Sequence, residues 1–297
     1  MKDRVNMVVT NHALRYTYHK QPTRDGLVTY GEMEIPPDSI QDGMVVNKAG
    51  IVAALKQLVQ QHKWKRKKVI FSIPDDTVVI RQMQIPASLT KEEANGYIQT
   101  QIGNRVYLPF ADPALAIDFL DKDEENRNIL LFAYPREKIA SFVSLFSEAG
   151  LKPVAADLTS LCVYRYYYLH QPDDKEHILH IHWNQDALVQ TAFQHHKPVF
   201  TRSMKFEWSV TEPNDMVEKL INEYILEINR IIDFYHYSIT NGEAQINKLL
   251  LTGDFPLLAM VNTSLAEAST LPVDSFVDEE LTGKYIDVLG LALKQDI

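Results

Sequence analysis

Residues 178–200, ILHIHWNQDALVQTAFQHHKPVF, carry four of the ten histidines, so metal binding is the first chemistry to weigh. His180 and His182 alternate along a predicted strand and share one face, as two zinc ligands would. No third ligand stands at a familiar zinc spacing, and no metal is expected. Hydrogen-bonding histidines, or a pocket for a small ligand, are the other readings. Ser72 and Ser160 lack the glycine frame of a nucleophile elbow. Cys162, the single cysteine, lies in an apolar helical stretch where a thiol is inert, and it rules out an intrachain disulfide or a cysteine cluster. The carboxylates of DKDEEN (121–126) crowd a turn and read as solvated, since an acid–base pair needs one buried member. No catalytic residue is assigned.

The elements that would position these residues follow from hydrophobic period. Strands are predicted at 5–9, 14–18 and 28–35, then a helix with Asn47 as N-cap and Ile51, Val52, Leu55, Leu58 and Val59 inward, then the buried strand 69–73. After Val78 the texture changes: a strand, a helix opened by SLTKEE, strands around 115–120 and ILLFAYP, and a helix ending at Gly150. DLTSLCVYRYYYL reads as a helix whose tyrosines pack. Strands at 178–183, 187–193 and 198–204 precede a long helix with Met216, Val217, Leu220, Ile221, Ile225, Ile228 and Ile232 on one face. A buried strand, KLLLTGD, and the helix KYIDVLGLALK end the pattern. Each half is thus three strands, a helix and a strand. That duplication predicts an α/β, actin-like (ribonuclease H-like duplicated) two-lobed fold with a small inserted α/β subdomain. The expected boundaries are 1–77 plus 154–175 for the first lobe, 78–153 for the insert and 176–297 for the second lobe.

The net charge of −9 disfavours nonspecific nucleic-acid binding. HKWKRKK (62–68) is the local exception: either a solvated lead-in to strand 69–73 or a surface lying near anionic lipid or another partner. No stretch reaches the ~20 apolar residues of a membrane span and no signal peptide is read, so a cytoplasmic protein, peripheral to the membrane through a partner, is expected.

The segments IPPDSIQDGMVVNKAGIVAALKQL, KKVIFSIPDDTVVIRQMQIP, IQTQIGNRVYLPF, AGLKPVAADLTSL, HKPVFTRSM, EINRIIDFYHY, KLLLTGDF and YIDVLGLALK stand in the order and spacing of PilM-type proteins of type IV pilus and competence machinery. The chain resembles that family over nearly its whole length, and through it the division protein FtsA. The resemblance implies an interlobe nucleotide cleft built on acidic–glycine turns, whose amides approach phosphate while an aspartate holds magnesium. Here those turns are degenerate. The first hairpin offers Thr10 and Asn11, with Arg15 where a lysine is usual. His182 stands for the family aspartate and Asn184 for its glycine, and the glycine pair survives as Gly253–Asp254. Glu227 and Arg230 match a helix that contacts adenine in relatives. No cofactor is expected, with ATP and magnesium disfavoured.

The resemblance further implies a non-catalytic adaptor that takes the N-terminal cytoplasmic tail of a PilN-like inner-membrane protein in a groove between the first lobe and the insert. Arg81, Pro86, Tyr107, Leu108, Pro109 and Phe110 are the residues expected to meet it. The alternative is an ATP-binding, polymerising actin-like protein of the same machinery.

Overall fold

The computed structural model describes residues 3–41, 43–170, 176–209, 211, 213–276 and 280–295. Strands β1 (Arg4–Val9), β2 (Ala13–His19) and β3 (Leu27–Glu34) form an antiparallel meander, followed by the short pair β4 (Ile40–Gln41) and β5 (Met44–Val45). Helix α1 (Lys48–Gln61) starts where the Asn47 side chain accepts the Gly50 amide, and it crosses to β6 (Lys68–Ile73), which runs parallel to β1. The chain continues through β7 (Val79–Pro86), α2 (Lys91–Gln101), β8 (Pro113–Lys122), β9 (Asn126–Pro135), α3 (Arg136–Glu148), β10 (Lys152–Leu158) and α4 (Thr159–His170). Thr90 and Glu93 close a reciprocal capping box at the start of α2, which satisfies two orphan amides. Gly150, at φ +92°, supplies the left-handed turn after α3.

The second half repeats the plan with β11 (His177–Trp183), β12 (Ala187–Gln194), β13 (Lys197–Lys205), α5 (Asn214–Phe234), β14 (Lys248–Thr252), α6 (Leu258–Ala268), β15 (Val273–Ser275) and α7 (Glu280–Ala292). The first sheet runs β10-β6-β1-β2-β3 and the second β15-β14-β11-β12-β13, so the two are topological copies. Between them in sequence, β7-β9-β8 makes a three-stranded antiparallel sheet backed by α2, whose Ala94 and Ile98 pack with Ile85, Ile117, Ile129 and Leu131.

Five elements went unread in the sequence: the two-residue strands β4 and β5, and β10, α6 and β15. Strand β10 is LysProValAlaAlaAspLeu, too small-sided and too proline-marked to announce itself, and its parallel pairing with β6 is a long-range event. Packing also cuts across the expected boundaries. Helix α3, expected with the insert, buries Phe142, Leu145 and Phe146 against Phe71 in the core of the first sheet. Helix α7, expected with the second lobe, buries Val288 and Leu291 against Val8, Ile70 and Cys162. An amphipathic helix goes wherever its apolar face is best covered, and chain order does not record that. The tyrosines of α4 do pack: Tyr164 stacks on Phe193 of the second sheet at 3.8 Å between ring centroids.

Candidate functional site

The duplicated sheets bring their first hairpins face to face. In each, the amide of the first turn residue donates to a carbonyl three residues on: Thr10 to Ala13 and Asn184 to Ala187, both at 2.9 Å. In the first hairpin the Thr10 hydroxyl accepts the amides of His12 (3.3 Å) and Ala13 (3.1 Å). These are the backbone donors that a phosphate would need, already taken within the loop. Across the gap the Asn11 side chain donates to the carboxylate of Asp186, joining the two turns.

Behind them lies a buried charge cluster. Arg15, projecting from β2, is 4% exposed and contacts Asp254 (2.6 Å), Glu32 (2.9 Å) and Asp287 (3.1 Å). Burial alone would push the guanidinium down, but the carboxylates of Asp287 and Asp254 outweigh it and hold its pKa above the ordinary value. Lys284 is likewise paired with Glu32 at 2.9 Å. Asp254 belongs to the second lobe's β14 turn and Asp287 to α7, so Arg15 is a three-way junction between sheets and C-terminal helix.

His180 and His182 have a structural occupation. Both are buried and both meet the hydroxyl of Thr252, at 2.7 and 2.9 Å. Burial lowers the pKa of each, so the neutral rings share one hydroxyl that can donate to only one of them. Among the described residues no group of three potential ligands surrounds a metal position.

Asp75, after β6, accepts the Ser160 amide (3.0 Å) and hydroxyl (2.9 Å) at the start of α4. Burial raises its pKa to about 7 against the lowering effect of those hydrogen bonds. A carboxyl whose folded pKa is raised takes up a proton on folding between its unfolded value and about 7. Stability therefore falls as pH rises through that window and levels above it. We expect urea unfolding to show Asp75→Asn gaining on the order of a few kcal/mol relative to wild type from pH 4 to 7, because the opposite slope of the buried histidines, whose pKa is lowered, is common to both proteins.

The actin-like fold expected from the sequence implies a magnesium nucleotide between the lobes, and the residues present do not fit one. The cavity between the hairpins has a volume of about 80 Å³, against ~300–1,000 Å³ for ligand pockets. Asp75, Asp76, Asp186, Asp254 and Asp287 line it, with Lys205 the one ammonium among its walls. A wider depression of about 670 Å³ lies on the other side of Arg15, and its two cations, Arg15 and Lys284, are committed to carboxylates. Gly253, at φ +132°, is glycine because a Cβ would enter the Trp183 backbone, so packing between β14 and β11 explains it. Thr10, Asn11, His182, Asn184 and Asp254 do meet at the cavity. Glu227 and Arg230 do not. They pair with each other on the outer face of α5 beside Arg202, because Ile221, Ile225 and Ile228 turn the opposite face to the sheet. The sequence reading of those two as cleft residues is corrected accordingly.

A third concavity, of about 280 Å³, lies between the first lobe and the three-stranded sheet. Its walls include Ala114, Leu115, Ala116 and Asp118 of β8, Ala156, Asp157 and Leu158 of β10, and the apolar Ile73, Val78, Phe132 and Ile139, with Lys294 paired to Asp157 at one side. Strands β8 and β10 are both sheet edges, and neither pairs with a further strand among the described residues. Along β8 the odd residues Leu115, Ile117 and Phe119 pack with the α2 core, which leaves Ala114, Ala116 and Asp118 on the groove side.

A family model for the type IV pilus assembly protein PilM matches residues 17–212. The chain belongs to the PilM family. Among solved structures, the PilM–PilN type IV pilus biogenesis complex aligns over 99% of both chains, with a TM-score of 0.81 at 15% identity. A Bacteroides thetaiotaomicron protein with actin-like ATPase fold and unknown function aligns over 99% of this chain and 96% of its own, with a TM-score of 0.54 at 12% identity. The cytoplasmic domain of EpsL, an inner membrane component of the type II secretion system of Vibrio cholerae, aligns over 91% and 97%, with a TM-score of 0.50 at 9% identity. The fold is actin-like. No helix among the described residues is long and apolar enough to cross a membrane.

In this PilM-family chain the six residues expected to meet a partner tail lie outside the groove walls. Arg81 and Pro86 are exposed on β7, the opposite edge of the three-stranded sheet from β8, so a full strand separates them from the groove. Tyr107 is 64% exposed and Leu108 packs into the α2 core. Pro109 is exposed and Phe110 half-buried in the segment that enters β8. The groove-lining residues that the sequence did not single out, Ala114, Ala116, Ala156 and Leu158, are small or ordinary apolar side chains. For Ala114 and Ala116 the one sequence signal was the alternation along 114–119.

Proposed function

We propose that this chain is a non-catalytic adaptor of type IV pilus or related assembly, which holds an extended tail segment of a PilN-like membrane protein in the groove between β8 and β10. The observation that carries the reading is the pair of strand edges bordering one apolar groove. An extended peptide there gains backbone hydrogen bonds from an edge, while alternate side chains enter apolar pockets and set specificity. The similarity to a PilM structure solved with PilN supports the partner. The EpsL likeness, from an inner membrane component, supports work at a membrane face. Tyr107 and Phe110 precede the groove-lining stretch of β8 and meet the tail where it leaves the groove.

Calorimetric titration with the N-terminal peptide of a PilN-like protein tests this. Ala116 is exposed and free of the core, so Ala116→Glu leaves the fold intact and is expected to weaken binding at least tenfold by burying an unpaired charge. The double variant Tyr107→Ala, Phe110→Ala should weaken it less. Unchanged affinity in Ala116→Glu removes the groove assignment. A parallel titration with Mg-ATP is expected to give no heat, and micromolar, magnesium-dependent binding would instead favour an ATP-dependent protein.

A further inference from the structure

From Gly43 to Pro74 the chain has no acidic residue, yet it carries Lys48, Lys56, Lys63, Lys65, Arg66, Lys67 and Lys68. In a chain of net charge −9 this is a strong local reversal, and the fold concentrates it. The segment 62–68 turns at the end of the first sheet where β6 and β10 begin, and Lys68 stands in register with Lys152. The Arg66 amide donates to the Gly150 carbonyl at 2.7 Å and the Lys152 amide to the Lys67 carbonyl at 2.8 Å. Lys20 arrives at the same end through the Asp3 amide. Of the nearby acids, Asp3 is occupied by Lys67 and Tyr18, and Glu148 by Lys48. Lys63, Lys65, Arg66, Lys68 and Lys152 are exposed.

Two features fix the shape of this segment. Lys63 and Arg66 have φ of 57° and 64°, a left-handed conformation that glycine or asparagine adopts more readily. Trp64, 2% exposed, pins the loop by stacking on His62 at 4.4 Å and packing edge-on to Tyr16. The aromatic is thus buried and the cations stand out alone. A nucleic-acid single strand would need exposed rings to stack on, and a long polyanion would also run along the acidic remainder of the molecule. A bilayer touches one end only.

The geometry points to this end of the first sheet as a docking surface for an anionic lipid bilayer, with Lys63, Lys65, Arg66, Lys68 and Lys152 facing the headgroups. The surface is separate from the groove, so lipid binding and tail binding succeed or fail independently. Vesicle flotation tests it, using phosphatidylcholine vesicles with and without phosphatidylglycerol, at low and high salt. Binding is expected only with the anionic lipid and is lost at high salt, since each cation near such a surface contributes roughly fivefold to partitioning. Lys63→Asn with Arg66→Asn removes two charges while relieving two left-handed positions, and should cut binding at least tenfold with no loss of stability. Lys65→Gln with Lys68→Gln, at ordinary backbone positions, should do the same. Equal binding to neutral vesicles, full binding by both double variants, no binding at low salt, or equally tight binding of duplex DNA would each overturn the assignment.

Discussion

Replacing Arg15 by alanine is expected to lower stability by about 3–5 kcal/mol, read as a shifted midpoint in urea with tryptophan fluorescence as the probe. The substitution removes the cation at the centre of Glu32, Asp254 and Asp287 and leaves those carboxylates clustered without it. Unpaired buried charge costs far more than the pair itself contributes, so removing both sides should behave differently from removing one. Arg15→Met combined with Asp254→Asn and Asp287→Asn is expected to recover most of the loss. Arg15→Lys should fall between wild type and alanine, because an ammonium keeps the charge but cannot present a planar fork to three separate carboxylates. If Arg15→Ala unfolds at the wild-type midpoint, the cluster does not hold the lobes together.

Gly290→Ala comes next in expected effect. Gly290 lies in α7, where its Cα faces the backbone carbonyl of Cys162 in α4, and an added Cβ would enter that carbonyl. Neither side can yield as a flexible side chain would. Arg165 of α4 also donates to the Gly290 carbonyl at 2.9 Å, fixing the approach from a second direction. Moving α7 outward would carry Asp287 away from Arg15, so the packing fault and the charge fault are linked. We expect a loss of about 3 kcal/mol or more, seen as a Tm lower by roughly 5–10 °C. Gly96, inside α2 with nothing within 4 Å of its Cβ position, is the control: Gly96→Ala should be neutral or stabilising by about 0.5–1 kcal/mol. A Gly290→Ala protein as stable as wild type would mean that α7 is not seated against α4 as described.

The same two sites show where sequence reasoning reached and where it stopped. Arg15 was visible, through the resemblance to PilM-type proteins, as a residue standing where that family usually has a lysine. Its three carboxylates were not, since they lie 17, 239 and 272 residues away and no local pattern links them. Thr10 was legible as a poor phosphate-loop residue, but its hydroxyl accepting the loop's own amides depends on rotamer and turn geometry. For the histidines, alternation correctly placed His180 and His182 on one face, and only the parallel register of β11 with β14 brought Thr252 between them. Glu227 and Arg230 were misplaced because helical period gives the face of a residue without saying which neighbour that face meets.

By itself the sequence determined the duplicated α/β plan, most helices and strands, and the acidic chain with one basic segment, all properties set by local period, turn chemistry and composition; the degenerate nucleotide turns were an expectation drawn from the resemblance to PilM-type proteins. The tertiary structure decided where α3 and α7 bury their apolar faces, which edge strands border the groove, and how the carboxylates of three elements converge on one guanidinium. Those outcomes depend on contacts between residues far apart in the chain, and such contacts are chosen by the shape left after every apolar face has found cover.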